Sequence, residues 1–183
     1  MKIVKRRILF ILIIITIQAN AQIYKSNIGT VSFFSEAPLE NIDATSKSIV
    51  SIINTSTNEI VFRVPISTFQ FKKKLMQEHF NENYLESDKY SDATYKGKIN
   101  EKIDWSKNGT YKIVSKGALT IHGVEKERTD TATVSIKDRI VTMNGDFLVT
   151  VADHKIKIPQ LVFEHIGEVV SVKFNISYVA FKK

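Results

Sequence analysis

The chain of 183 residues contains no cysteine. That absence excludes a disulfide scaffold, a thiol nucleophile, a zinc or iron–sulfur site with cysteine ligands, and a lipidated N-terminal cysteine. Glycine is also scarce, with 7 residues in the whole chain, and no glycine-rich phosphate loop is present. The 4 histidines never occur at H-x-H or H-E-x-x-H spacing, and there is no G-x-S-x-G motif. The sequence therefore predicts neither a catalytic site nor a metal site.

The excess of positive charge, +7 overall, is concentrated at the N-terminus. Lys2, Lys5, Arg6 and Arg7 precede an apolar run over residues 8–17, and Ala19-Asn20-Ala21 follows it. A charged segment, a short apolar run and a small-x-small site predict a secretory signal peptide over residues 1–21, cleaved before Gln22. The rival interpretation, a retained membrane anchor, fails because so short a run cannot cross ~30 Å of hydrocarbon.

Removing this segment leaves 162 residues with 22 basic and 19 acidic side chains, a net charge of +3. The basic character is thus mostly a targeting signal, and no nucleic-acid partner is predicted. Residues 22–183 show no repeat, linker or low-complexity run, which predicts one domain. A secreted chain of this length without cysteine is typical of a bacterial envelope, so we expect a periplasmic or secreted protein.

Apolar and polar residues alternate along most of this domain. In residues 168–181, Val172, Phe174, Ile176 and Tyr178 share one parity, and polar residues fill the other. Such period-two alternation predicts a strand with one dry and one wet face. Eight strands are predicted, over residues 29–35, 41–53, 58–67, 92–103, 110–121, 126–137, 139–151 and 168–181.

The connections between these strands are short, which favours antiparallel neighbours. Turns are predicted at Asn108-Gly109, at His122-Gly123 and at Asp138, and His122 is interpreted as a hairpin residue that tolerates left-handed backbone. Residues 72–81 fit a short amphipathic helix, and residues 152–167 are irregular. The predicted fold is all-β: an eight-stranded antiparallel up-and-down barrel, lipocalin-like, with one short helix and an irregular segment before the last strand.

An eight-stranded barrel has room inside for side chains or for one small ligand. Because the inward parity is aromatic and aliphatic, any guest should be apolar. The candidate lining residues are Phe33, Phe62, Val64, Phe80, Tyr95, Ile99, Leu119, Phe147, Phe163, Val172, Phe174 and Ile176. The alternative is that these same side chains fill the barrel as an ordinary core.

Three segments resemble the YceI-like family. Leu119-Thr120-Ile121-His122-Gly123-Val124-Glu125-Lys126 is similar to that family's L-T-I-x-G-V-x-K hairpin. Residues 76–98 resemble its middle region, a short helix followed by S-x-x-Y and a strand, although Ser91 replaces the family's proline. The last strand, through residues 172–178, has the expected place and character.

This resemblance implies a lipocalin-like barrel that binds polyisoprenoid chains, including isoprenoid quinones, and has no chemistry of its own. We therefore expect a non-enzymatic periplasmic or secreted protein with an apolar isoprenoid-type lipid as its partner and no other cofactor. The alternative is a small envelope protein with a filled barrel and a structural or interaction role. Further expectations are transient contact with a membrane surface and a homodimer.

Two features bear on the membrane expectation, and each has two interpretations. The run Lys72-Lys73-Lys74 could meet anionic lipid headgroups at a barrel mouth or form the solvated start of a helix. Trp105 could lie at a membrane interface or pack inside a hairpin.

Overall fold

The computed structural model describes residues 22–36, 41–157 and 167–181. The predicted signal peptide and the candidate residue Phe163 lie outside these ranges. The strands are β1 (Ile23–Ser35), β2 (Ile42–Ser46), β3 (Val50–Asn54), β4 (Glu59–Pro65), β5 (Gln70–Phe71), β6 (Asp92–Ile99), β7 (Gly109–Ile121), β8 (Val124–Lys137), β9 (Ile140–Thr150) and β10 (Val169–Phe181). The helix α1 (Lys74–His79) lies between β5 and β6. No helix of the described ranges is long and apolar enough to span a membrane.

The strands form one antiparallel sheet that closes on itself. Neighbours follow chain order from β3 through β10 except for β5, which pairs with β2, and β10 then pairs with β1 from Ile23↔Phe181 to Phe34↔Ser171. A bulge between Lys25 and Ile28 lets the long β1 bend around the barrel. The predicted eight-stranded antiparallel barrel is confirmed, because β2 and β3 together occupy one of the eight strand positions and β10 closes the sheet by pairing with β1.

The second predicted strand, residues 41–53, is wrong as a single element. It is broken at residues 47–49 into β2, which pairs with the second half of β1, and β3, which pairs with the first half. The break has a local cause: the Ser46 hydroxyl accepts a hydrogen bond from the Ser48 N–H at 3.1 Å and also lies 2.6 Å from the Thr68 hydroxyl. A serine that satisfies a nearby N–H in this way competes with the strand ladder.

Two of the predicted turns are tight hairpins. His122 and Gly123, between β7 and β8, have φ of 52° and 70°, and Asp138 and Arg139, between β8 and β9, have φ of 51° and 68°. Consecutive positive φ values match the twist of the flanking strands. Asn108-Gly109 is different: residues 100–108 form a longer loop, and Gly109 begins β7. The predicted extension of β6 to residue 103 is wrong for the same reason.

The barrel interior has two unlike halves. At the end where β1 begins, Tyr24, Ile53, Ile99, Val134, Ile176 and Tyr178 point inward and are none of them more than 2% exposed. We call this end the packed half; the Trp105 ring closes it, with its centroid 5.5 Å from that of Tyr24. Trp105 thus packs inside the fold, as in the second of its two interpretations. The other end, where β1 finishes and α1 lies, is the hollow half.

Candidate functional site

The hollow half contains a cavity of about 560 Å³. Its wall is overwhelmingly apolar. Six of the aromatic candidates line it: Phe33, Phe62, Phe80, Tyr95, Phe147 and Phe174. Three aliphatic candidates do so as well: Val64, Leu119 and Val172. Except for Phe80, these candidates lie on strands, where period-two alternation placed them on the wall because inward parity is what a wall position on a strand requires.

Two candidates share this inward parity but lie elsewhere. Ile99 and Ile176 are 1% and 0% exposed and pack in the other half, below the cavity floor. Parity identifies the face of a strand but not the position along the barrel axis. The sequence therefore could not distinguish these two core residues from the residues that line the cavity. Phe163 falls outside the described residues.

Four phenylalanines cluster beneath α1. The Phe80 ring stacks on Phe33 at a centroid distance of 5.4 Å and contacts Phe71 and Phe69 at 5.0 and 5.7 Å. Phe80 opens a π-helical turn directly after α1, and this turn directs the ring into the barrel. Phe69 and Phe71 were not among the candidates because they belong to the irregular segment around β5, which has no clear period. Together the four rings form the wall beside the mouth.

A second group of rings lines the cavity farther inside. Phe62 contacts Tyr95 and Phe174 at 5.8 and 5.7 Å. Glycine makes room for two of these rings: a Cβ on Gly97 would lie 2.4 Å from the Tyr95 hydroxyl oxygen, and one on Gly145 would lie 2.8 Å from Cζ of Phe174. Because the rings occupy the missing side-chain positions, they lie along the wall and leave the centre open.

The mouth of the cavity opens beside α1. Leu75 lines the cavity and is nevertheless 62% exposed, and Met76 and His79 line it from the same helix. The lysine run begins here. Lys72 pairs at 2.9 Å with Asp43 of the neighbouring strand β2, and Lys74 lies 3.9 Å from Glu78 on the helix. Contact of this run with lipid headgroups stays a prediction.

Among the described residues, one charged pair lies on the cavity wall, and the sequence did not predict it. Arg128 and Asp130 lie two residues apart on β8 and face inward, with side chains 19% and 24% exposed. The carboxylate accepts hydrogen bonds from both Nε and Nη2 of the guanidinium, the latter at 2.6 Å. The sequence contains a pattern that could have identified this pair, because both residues share the inward parity of Val134 and Ile136 on the same strand.

Next to this pair is a pair of hydroxyl groups. The Tyr95 hydroxyl lies 2.7 Å from the Ser115 hydroxyl, and Ser115 stands directly opposite Asp130 in the ladder between β7 and β8. Burial raises the pKa of Tyr95, so the phenol stays protonated. Four polar side chains therefore meet at one place on an otherwise apolar wall.

The barrel wall is incomplete beside Arg128. The ladder between β8 and β9 runs only from Lys137↔Ile140 to Thr133↔Asn144, and within the described residues no pairing joins 124–132 to 145–150. The Arg128 side chain bridges this gap: Nη2 donates to the carbonyl oxygen of Leu148 at 3.2 Å, and the guanidinium lies 4.4 Å from the Phe147 ring centroid. A cation over an aromatic face is an attractive contact.

The histidines at the rim make structural contacts. His122 lies 2.7 Å from the Glu86 carboxylate, and this hydrogen bond lowers the pKa of Glu86. The buried His154 donates from Nδ1 to the carbonyl oxygen of Val124 at 3.0 Å. His122 thus sits in the hairpin as predicted and ties it to the loop after α1. In the described part of the chain, no three histidine or acidic side chains come together as a metal site would require.

Comparison with known proteins gives one family and several related folds. The model of the YceI-like domain matches residues 22–178. A polyisoprenoid binding domain from Saccharophagus degradans superposes with a TM-score of 0.74 at 15% identity, covering 88% of this chain and 99% of that one. Burkholderia cenocepacia BcnA gives 0.67 at 16% identity, with coverage of 81% and 95%. A YCEI protein of Campylobacter jejuni gives 0.58 at 15% identity, with coverage of 81% and 90%. No curated protein sequence matches the chain. Identities this low establish the fold alone.

Proposed function

The chain belongs to the YceI-like family, and from this premise we propose that it is a periplasmic or secreted protein that binds an apolar isoprenoid-type lipid, a polyisoprenoid or an isoprenoid quinone, without catalysis. The same proposal includes cleavage of the signal peptide before Gln22. The Saccharophagus neighbour, described as polyisoprenoid binding, supports the choice of lipid.

The observation that carries this proposal is the apolar cavity of about 560 Å³. Its volume lies within the range of small-molecule binding sites. When a flexible hydrocarbon chain lies against such a wall, each Å² of apolar surface removed from water contributes about 25 cal/mol of favourable binding free energy. The cost of ordering the chain is subtracted from this sum. Affinity for an isoprenoid tail therefore needs no hydrogen bond along most of its length.

The cavity also bears on the alternative, an envelope protein whose barrel is filled by its own side chains. That description fits the packed half, where Ile53 and Ile176 are fully buried. It does not fit the hollow half, where the rings of Tyr95 and Phe174 lie over Gly97 and Gly145 along the wall and leave the centre open. The cavity therefore argues against a filled barrel in the hollow half, which is where a guest would lie.

Two finer parts of the proposal concern partners. Transient contact with a membrane would bring the mouth beside α1 to the lipid surface, where the exposed Leu75 and the run from Lys72 to Lys74 lie close together. Basic side chains near an anionic surface contribute about 1 kcal/mol each. A homodimer remains an expectation from the sequence.

The test is native mass spectrometry of residues 22–183 secreted into a bacterial periplasm and purified without detergent, with an organic extract alongside. We expect a stoichiometric bound mass of isoprenoid character. The matched variants are Ala132→Phe, which places a ring in the cavity, and Val179→Ala, which changes an exposed side chain outside the barrel. The first should lose the guest and the second keep it. Protein that carries no guest and also ignores added quinones and polyprenols would reject the proposal.

A further inference from the structure

We infer that Arg128, Asp130, Tyr95 and Ser115 form a subsite for the polar end of the guest, and that this end is an uncharged oxygen-bearing group such as an alcohol, a phenol or a carbonyl. This inference rests on the proposed function. It goes further by placing the head of the guest at one point of the barrel wall and by stating which kind of head fits there.

The first argument is the unused hydrogen-bonding capacity of the cluster. Nε and Nη2 of Arg128 are engaged by Asp130 and by the carbonyl oxygen of Leu148, whereas Nη1 makes no hydrogen bond to any described residue. Each Asp130 oxygen accepts one hydrogen bond from Arg128 and retains a lone pair. A guest oxygen can therefore accept from Nη1, and a guest hydroxyl can also donate to the carboxylate.

The second argument is position. Ser115 faces Asp130 across the ladder, so the hydroxyl pair of Tyr95 and Ser115 lies beside the ion pair on the cavity wall. Directly opposite residues have their Cβ atoms about 5 Å apart, which lets one small polar group reach both pairs. Phe62, Phe147 and Phe174 adjoin this cluster, so the apolar part of a guest whose oxygen lies there stays against aromatic rings.

The third argument is charge. The guanidinium and the carboxylate neutralise one another, so the subsite offers no net positive charge to an anion. A phosphate or diphosphate head would have to leave water for an apolar cavity and approach the Asp130 carboxylate, and both steps are unfavourable. A neutral head avoids both costs and still makes charge-assisted hydrogen bonds, which are the stronger kind.

The test uses probes with one tail and different heads: farnesol, farnesyl diphosphate and farnesane, which has no polar head. Competition is followed by native mass spectrometry on residues 22–183. We expect the wild-type protein to bind farnesol roughly tenfold more tightly than farnesane or farnesyl diphosphate. A tenfold difference in affinity is about what one hydrogen bond to a charged group contributes. Farnesane, measured without a competitor, shows whether the barrel accepts the tail. Failure to bind any of the three probes would therefore reject the proposed function rather than the subsite.

Asp130→Asn leaves the Arg128 charge uncompensated and should shift the preference toward farnesyl diphosphate by roughly tenfold. Glu127→Gln is the matched control, because it removes an exposed carboxylate next to Arg128 on the same strand, and it should leave the preference unchanged. The double variant Arg128→Met/Asp130→Leu replaces both charged side chains by apolar ones of similar volume, so it leaves no unpaired charge on the wall. It tests the subsite even if Asp130→Asn fails to fold. We expect it to bind farnesol and farnesane equally.

Three results would overturn the subsite. The first is a wild-type preference for farnesyl diphosphate. The second is an equal response of Asp130→Asn and Glu127→Gln. The third is a double variant that still prefers farnesol to farnesane.

Discussion

The packed half and the hollow half of this barrel are built from the same strands with the same inward parity, yet only one of them is filled. On β10, Ile176 and Tyr178 are fully buried, whereas Val172 and Phe174, a few residues earlier on the same face, border an open cavity. Strand alternation alone therefore does not decide whether a barrel is filled. The side chains at each level decide it.

In the packed half, branched aliphatic side chains meet across the barrel axis and a buried Tyr178–Ser51 hydrogen bond of 2.8 Å joins β10 to β3. In the hollow half, Gly97 and Gly145 let Tyr95 and Phe174 lie along the wall. The comparison indicates a division of labour: one half stabilises the fold and the other is kept open for a guest. Four predictions test it, in order of decreasing expected effect.

The largest difference should come from removing an isoleucine in each half. Ile176→Ala creates a void among fully buried side chains and should lower the free energy of unfolding by about 2–5 kcal/mol. Ile121→Ala changes a partly exposed wall residue beside an existing cavity and should cost about 1 kcal/mol. Urea denaturation of both variants measures this. Equal losses of unfolding free energy in the two variants would contradict the division into a packed half and a hollow half.

The next comparison removes one hydroxyl from each half. Tyr178→Phe leaves Ser51 without its partner in a dry core and should cost about 1–3 kcal/mol. Tyr95→Phe should cost less, because Ser115 faces the cavity, where water can replace the phenol. Thermal unfolding followed by circular dichroism distinguishes the two, and a larger loss for Tyr95→Phe would show that the hollow half is not hydrated.

A smaller effect should follow when the wall glycine is filled. In Gly145→Ala the new Cβ would lie 2.8 Å from the Phe174 ring, so the ring must move toward the centre of the cavity. We expect guest affinity to fall by roughly tenfold, about 1.4 kcal/mol, with little change in stability. Native mass spectrometry with farnesane measures it. Unchanged affinity would mean that the position of this ring does not set the cavity volume.

The smallest effect is a pH dependence at the rim. Burial lowers the pKa of His154 below its ordinary value of 6.5, so the unfolded chain binds the proton more readily than the folded one. Stability should therefore decrease as the pH falls below about 6.5 and stop decreasing once the pH is below the folded pKa. His154→Gln keeps an N–H donor for Val124 and cannot titrate. Its melting temperature should depend less on pH than that of the wild type between about 7.5 and 5.5, roughly one unit either side of the ordinary pKa of histidine. An unchanged dependence on pH would assign the effect to another group.

The sequence predicted the closed barrel, the His122-Gly123 hairpin and the short helix, because these follow from period-two alternation, from residues that accept positive φ, and from apolar spacing. It did not predict the break between β2 and β3. The Ser46–Ser48 hydrogen bond at the break is local, but the contact of the Ser46 hydroxyl with the Thr68 hydroxyl exists only in the folded chain. It found Phe62 and Phe174 on the wall but could not assign Ile99 and Ile176 to the packed half. Arg128 and Asp130 were missed because the candidate lining residues were chosen among aromatic and aliphatic side chains only.

The most direct test of the two-half account is methyl NMR of isoleucine, leucine and valine side chains during titration with farnesol. We expect shifts at Leu119 and Val172 in the hollow half, and none at Ile53, Val134 and Ile176 in the packed half. Shifts confined to outward methyls such as those of Leu148 and Val179, or spread equally over both halves, would contradict the claim that the hollow half holds the guest.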